Sequence, residues 1–225
     1  MGRVRLNIRP AMKVLALAEI CLLGGVQGCG EILGEGSYES GSVLRVEGIT
    51  LTHLNGNDTA DVDVQRTGDC DGDFETIDPE VYTDHNAKFN LSNNSHPNGL
   101  EEFSTATEVT IRSYRVSFYS NSFASVPLET EIYFDTFTIP PDQTLETTGF
   151  FFPLGKKDEF LEKANWTHFF YGYEGMTLWE KEAYGFAYFV TYTATIVFYG
   201  TDAFGNNLSV TASVPFEVGS FNNCD

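Results

Sequence analysis

From about residue 43 onward, apolar and polar positions alternate with a period of two through most of the chain, which is the signature of half-buried β-strands. The clearest run places Tyr188, Val190, Tyr192, Ala194, Ile196 and Phe198 on one face and Thr191, Thr193 and Thr195 on the other. A second sets Leu208, Val210, Ala212, Val214, Phe216 and Val218 against Ser209, Thr211, Ser213 and Glu217. Between them, residues 201–207 (Thr-Asp-Ala-Phe-Gly-Asn-Asn) are dense in turn formers, so the pattern predicts a long closing β-hairpin. Val43 to Leu54 reads as a strand whose phase slips at Gly48, which predicts a bulge there. Other strands are expected at Ala60, Val62 and Val64, at Ala87 to Leu91, Glu108 to Tyr119, Leu128 to Ile139 and Thr144 to Phe152, with Pro140-Pro141-Asp142 as a turn. That many strands in alternating register predict an all-β fold, an antiparallel β-sandwich over residues 43–225.

One stretch, 155–186, breaks the pattern. Asp158 to Ala164 contains helix formers with Asp158 and Glu159 as an acidic first turn, so a short helix is expected, followed by an aromatic-rich remainder. The start of the chain differs from everything after it. Arg3, Arg5, Arg9 and Lys13 precede an apolar run from Val14 to Leu23 and then Gly24-Gly25, too short for a spanning helix and shaped like an export signal. The run ends in Val26-Gln27-Gly28-Cys29, which resembles the lipobox of bacterial lipoproteins: an aliphatic residue, a small residue, then the cysteine that is lipidated. Gln27 departs from the small residue usual at its position, and Glu19 is unusual inside the apolar run.

The resemblance implies that residues 1–28 are a signal peptide and that Cys29 anchors the domain to a membrane of the bacterial envelope, the outer membrane being the expected one. Ordinary cleavage near Gly28 is the alternative. The Gly-, Ser- and Glu-rich residues 29–42 read as a flexible tether. In an oxidising compartment, with Cys29 lipidated and Cys21 removed, Cys70 and Cys224 remain to pair with each other; two free thiols are the alternative. The closing hairpin, at residues 199–206, is also similar to the last hairpin of bacterial immunoglobulin-like domains. The whole chain resembles uncharacterised bacterial lipoproteins that end in such a hairpin and a terminal cysteine. The fold implied is thus an immunoglobulin-like β-sandwich with one short helical, aromatic-rich insertion.

Charge narrows the partners. The chain has 13 Lys+Arg against 32 Asp+Glu, and without residues 1–28 the balance is 9 against 31, a formal −22. Such a field repels nucleic acid, so none is expected as a partner. An envelope protein, a glycan or a cation is compatible with it.

Candidate chemistry is sparse. Asp69, Asp71, Asp73 and Glu80 fall at positions 1, 3, 5 and 12 of a Ca²⁺-binding loop pattern, but Phe74 stands where that pattern needs glycine. Ca²⁺ binding and a plain solvated acidic loop are both open. Trp166, Tyr171, Tyr173 and Trp179 are rings able to stack on a sugar or anchor a protein partner, or to pack as a satellite core. His53, His85, His96 and His168 have no metal-ligand spacing and are expected at the surface, with His85 beside Asp84 and near His96 as a weak alternative site. The chain has no Gly-x-Ser-x-Gly, Ser-x-x-Lys, His-Glu-x-x-His or nucleotide-binding fingerprint. The sequence therefore leads to a non-catalytic interaction or structural module, the alternative being a ligand-binding module for a glycan through the aromatic insertion or Ca²⁺ through 69–80.

Overall fold

The computed structural model describes residues 33–35, 41–52, 58–64, 67–68, 78–79, 82–95, 105–122, 125–163, 189–219 and 221. The fold is all-β with one helix among the described residues. In chain order the elements are β1 (Leu33–Glu35), β2 (Ser42–Thr52), β3 (Asp61–Asp63), β4 (Thr67–Gly68), β5 (Asp78–Pro79), β6 (His85–Ser95) and β7 (Val109–Tyr119). There follow β8 (Glu131–Tyr133), β9 (Phe137–Ile139), β10 (Gln143–Phe152), α1 (Leu154–Lys163), β11 (Phe189–Asp202) and β12 (Asn207–Gly219).

Sheet A runs β1, β12, β11, β7, β8, with β3 further along the β12 edge and β9 further along the β7 edge. Sheet B is β10, β6, β2. The period-two alternation gives each sheet one apolar face, and the two faces meet. Leu44, Val46, Ile49 and Leu51 of β2 and Ala87, Phe89 and Leu91 of β6 are buried together with Val109, Ile111, Tyr114 and Val116 of β7 and the inward residues of β11 and β12. Phe89 joins the layers directly, its ring edge-on to Tyr114 at 5.1 Å and to Phe198 at 5.0 Å. Polar links reinforce the stack: the Tyr114 hydroxyl donates to the Phe150 carbonyl at 2.9 Å, and the buried Asn93 amide donates to the carbonyls of Thr107 (2.6 Å) and Ile139 (3.1 Å).

The hairpin is where the turn residues put it. β11 and β12 pair from Phe189↔Gly219 to Thr201↔Asn207. The buried Asp202 closes the turn, its Oδ1 accepting from Phe204 N (2.9 Å) and Asn206 N (2.8 Å), while Gly205 supplies the left-handed residue at φ 84°. The bulge expected at Gly48 is present as a slip between Val46 and Gly48, with Glu47 as the extra residue. It lets Leu44/Val46 and Ile49/Leu51 both face the core despite the phase change.

A second bulge explains a departure from expectation. Against β11 the register slips between Tyr199 and Gly200, leaving Arg112 as the extra residue on β7. The same place interrupts pairing on the other side, so the run expected as one strand from Leu128 to Ile139 is two short strands. β8 faces 114–116, β9 faces 109–111, and neither is paired between. At this bulge β7 and β11 approach closely: a Cβ on Gly200 would lie 2.7 Å from the Thr110 carbonyl oxygen and 2.9 Å from Ile111 Cδ1. Gly200→Ala is expected to cost about 2–3 kcal/mol, because the obstacle is main chain that cannot move without breaking the ladder. A urea titration of the variant checks this.

Four further corrections follow from pairings that local pattern does not carry. β3 runs parallel to β12, so sheet A is mixed, not purely antiparallel. β1 lies inside the stretch read as a tether and pairs with β12 at residues 209–211. The strand expected at Ala87 to Leu91 extends over the whole of β6. The helix starts at Leu154, not Asp158, so its first turn has no acidic residue; instead Asp84, far away in sequence, accepts the Leu154 N–H at 2.8 Å.

Candidate interaction surface

The residues singled out in the sequence lie outside the described residues: Cys29, Cys70 and Cys224, the acidic Asp69, Asp71, Asp73 and Glu80, and the rings Trp166, Tyr171, Tyr173 and Trp179. Near the acidic stretch, Thr67 pairs with Pro79 and Gly68 with Asp78. Among the described residues no group of three or more His, Cys, Asp or Glu is placed to hold a metal, and no helix is long and apolar enough to cross a membrane. His85 corrects the expectation of surface histidines. It opens β6 in phase with Ala87, Phe89 and Leu91, is fully buried, and places Nε2 3.2 Å from the Thr59 carbonyl.

α1 carries two buried cations that the sequence pattern does not mark. Lys156 and Lys157 lie on the inward side with Phe160, four and three residues apart. The side chain of Lys156 is 1% exposed, and its ammonium meets Glu131 Oε1 at 2.6 Å, a Glu159 carboxylate oxygen, and the Glu129 carbonyl at 2.9 Å. An ammonium has three donors, and these groups use all of them. Glu159 in turn takes Lys163 Nζ at 2.6 Å and the Glu129 N–H at 2.9 Å, and Lys163 also donates to the Pro127 carbonyl at 3.1 Å. The helix thus holds the main chain at Pro127 and Glu129, just before β8, and the side chain of that strand's first residue, Glu131. Lys157 sits 5.1 Å from the centre of the Tyr82 ring. Burial pushes its ammonium below the ordinary lysine value, while Asp63 and Asp84 draw it back up. This chemistry fastens α1 to the sheets.

A shallow concavity of about 280 Å³ opens beside β2, walled by Ile49, Leu51, Val214 and Pro215 and edged by Asp58 and Asp61. Asp58 already pairs with Lys88 at 3.2 Å.

The surface that departs most from the rest of the chain is the outward face of sheet A. Register fixes which residues share it. Thr138, Thr110, Thr201 and Asn207 form one row across β9, β7, β11 and β12; Ser113, Tyr199 and Ser209 form the next. Ile132, Arg115, Val197 and Thr211 come third, then Ser117, Thr195 and Ser213, then Tyr119, Thr193 and Pro215. Hydroxyls pair across strands at Thr110–Thr138 (3.3 Å) and Thr195–Ser213 (3.3 Å). On the three long strands β7, β11 and β12 the outward positions carry one carboxylate, Glu217, opposite Thr191 one row further on; the edge strands add Glu35 of β1 opposite Ser209 and Asp61 of β3 opposite Glu217. The Arg115 guanidinium carbon lies 5.8 Å from the centre of the Tyr199 ring, a cation–π contact. Half of this face was already visible as the Thr191/Thr193/Thr195 and Ser209/Thr211/Ser213 alternation; its union with Arg115 needed the β7–β11 register. No family model, curated protein or solved structure matches the chain.

Proposed function

We propose that this chain is a lipid-anchored, non-catalytic module of the bacterial cell envelope, an immunoglobulin-like β-sandwich that engages a partner through the outward face of sheet A. The observation that carries the reading is the composition of that face along β7, β11 and β12: hydroxyl-rich, holding an arginine seated on a tyrosine, and with a single carboxylate, Glu217, in a chain of net charge −19. Acidic residues crowded elsewhere keep the domain soluble and repel other acidic surfaces, which leaves this face as the place of closest approach. Cys29, behind Val26 and Gly28, supports the anchor, and the β11–β12 hairpin supports the immunoglobulin-like arrangement. A lipid contributes roughly 0.8 kcal/mol per buried methylene, so a multiply acylated Cys29 would hold the domain within reach of envelope partners.

The expected behaviour is a membrane-bound species whose intact mass corresponds to a chain beginning at Cys29 plus acyl groups, and a Cys29→Ser variant that moves to the soluble fraction without acyl mass. A wild-type chain recovered soluble and unacylated would remove the anchor from this reading.

A further inference from the structure

We infer that the outward face of sheet A binds an anionic glycan, with Arg115 on Tyr199 as the centre of the site. This rests on the reading of that face as the docking surface and adds the chemistry of what docks there.

Charge argues for an anion. The chain carries 32 acidic and 13 basic side chains, yet the exposed guanidiniums of Arg112 and Arg115 both come from β7, and among the described residues neither is in an ion pair. At physiological salt the screening length is about 8 Å, so the acidic remainder of the protein does not cancel such a local patch. The Tyr199 ring supports the planar guanidinium from one side, which leaves its forked N–H groups to take a carboxylate or phosphate in bidentate fashion.

The surroundings argue for a sugar. Ser113, Ser209, Thr211 and Thr195 encircle the pair by register, and each hydroxyl both donates and accepts, as the hydroxyls of a glycan require. A protein partner would favour an apolar centre, but here the polar rows are interrupted by Val197 and Ile132 beside Arg115 and by Pro215 at the margin, with no continuous apolar patch at the centre. Nucleic acid would need many cations along its phosphates, and this face has two. Tyr119, 64% exposed, lies four residues from Arg115 on the same strand face, about 14 Å away, and gives a second ring on which a sugar of an extended polymer can stack.

The test is affinity electrophoresis and calorimetry of the full-length chain in detergent, with polygalacturonate and a phosphomannan as anionic glycans, dextran as a neutral glycan and polyglutamate as a polyanion without sugar. Binding to at least one anionic glycan, with weak or absent binding to dextran and polyglutamate, is the expected result, and the anionic polymer bound tells carboxylate from phosphate. Arg115→Ala and Tyr199→Ala should each weaken binding about tenfold, while Tyr199→Phe keeps the ring and the affinity. Arg45→Ala, on the exposed side of β2, should leave it unchanged. Binding to neither anionic glycan overturns the inference, as does equal binding to dextran or polyglutamate, or binding that ignores Arg115→Ala. If Tyr119 and Tyr199 are nonetheless shielded in native envelopes, the docking face stands and only its glycan chemistry falls.

Discussion

Phe216→Ala is expected to lower stability by about 4 kcal/mol, the largest loss at any single side chain considered for this domain. The reason is position. Phe216, on β12, is fully buried where strands of sheet A meet the end of β10, with its ring 5.0 Å from Phe151, 5.8 Å from Phe152, 5.9 Å from Phe118 and 5.7 Å from Tyr192. Four rings from three other strands lose their common neighbour, and the paired backbone of β12 prevents collapse into the space. The cost is therefore transfer free energy plus an unfilled cavity. Phe216→Leu, which keeps most of the volume, should cost about 1–2 kcal/mol. Urea titrations at neutral pH with an unchanged slope check both values. A loss below about 1 kcal/mol for the alanine variant would mean that the sheets do not pack around this ring.

Lys156→Ala is expected to cost about 3 kcal/mol, by leaving Glu159 and Glu131 without their shared cation in a nearly enclosed site. The double variant Lys156→Met/Glu159→Gln should recover most of that loss, because a thioether fills the space beside Phe118 and the amide oxygen can still accept the Glu129 N–H. The pair also sets an acid limit. Burial alone would raise the Glu159 carboxyl, but hydrogen bonds from Lys156, Lys163 and the Glu129 N–H outweigh it and hold the group below its ordinary 4.5. A depressed folded value means that the contribution is complete above the unfolded value and is lost as pH falls through the folded one. The wild type should therefore lose stability below about pH 4.5 more steeply than the double variant. Parallel pH profiles of the two proteins would contradict the assignment.

What the amino-acid sequence revealed and what it hid divide along the range of the interactions. The β11–β12 hairpin, the Glu47 bulge and the turn before β10 were legible because each is written in neighbouring residues: period-two alternation, a slipped phase, and Asp202-to-Gly205 or Pro140-Pro141-Asp142 as turn chemistry. At that last turn Asp142 takes φ 51° and accepts both the N–H and the hydroxyl of Ser95, contacts that no local pattern announces. Hidden features are those set by distant partners. The parallel pairing of β3, the strand within the presumed tether and the trans cap from Asp84 all join segments remote in sequence. Lys156 and Lys157 were overlooked because lysine reads as solvent-facing, although their spacing from Phe160 places them on its side of the helix. The interaction face was half legible, since alternation separates its threonines and serines from the core but does not say which strands lie next to each other.

In the function proposed above, the outward face of sheet A is the surface by which this chain engages the envelope. Hydroxyl-radical footprinting of the protein in native envelopes, compared with the purified protein, tests this most directly. Tyr119 and Tyr199 should be shielded in the envelope, while Phe204 at the hairpin tip and Phe134 between β8 and β9, 78% and 87% exposed, react equally in both. Equal oxidation of Tyr119 and Tyr199 in the two preparations would contradict the claim.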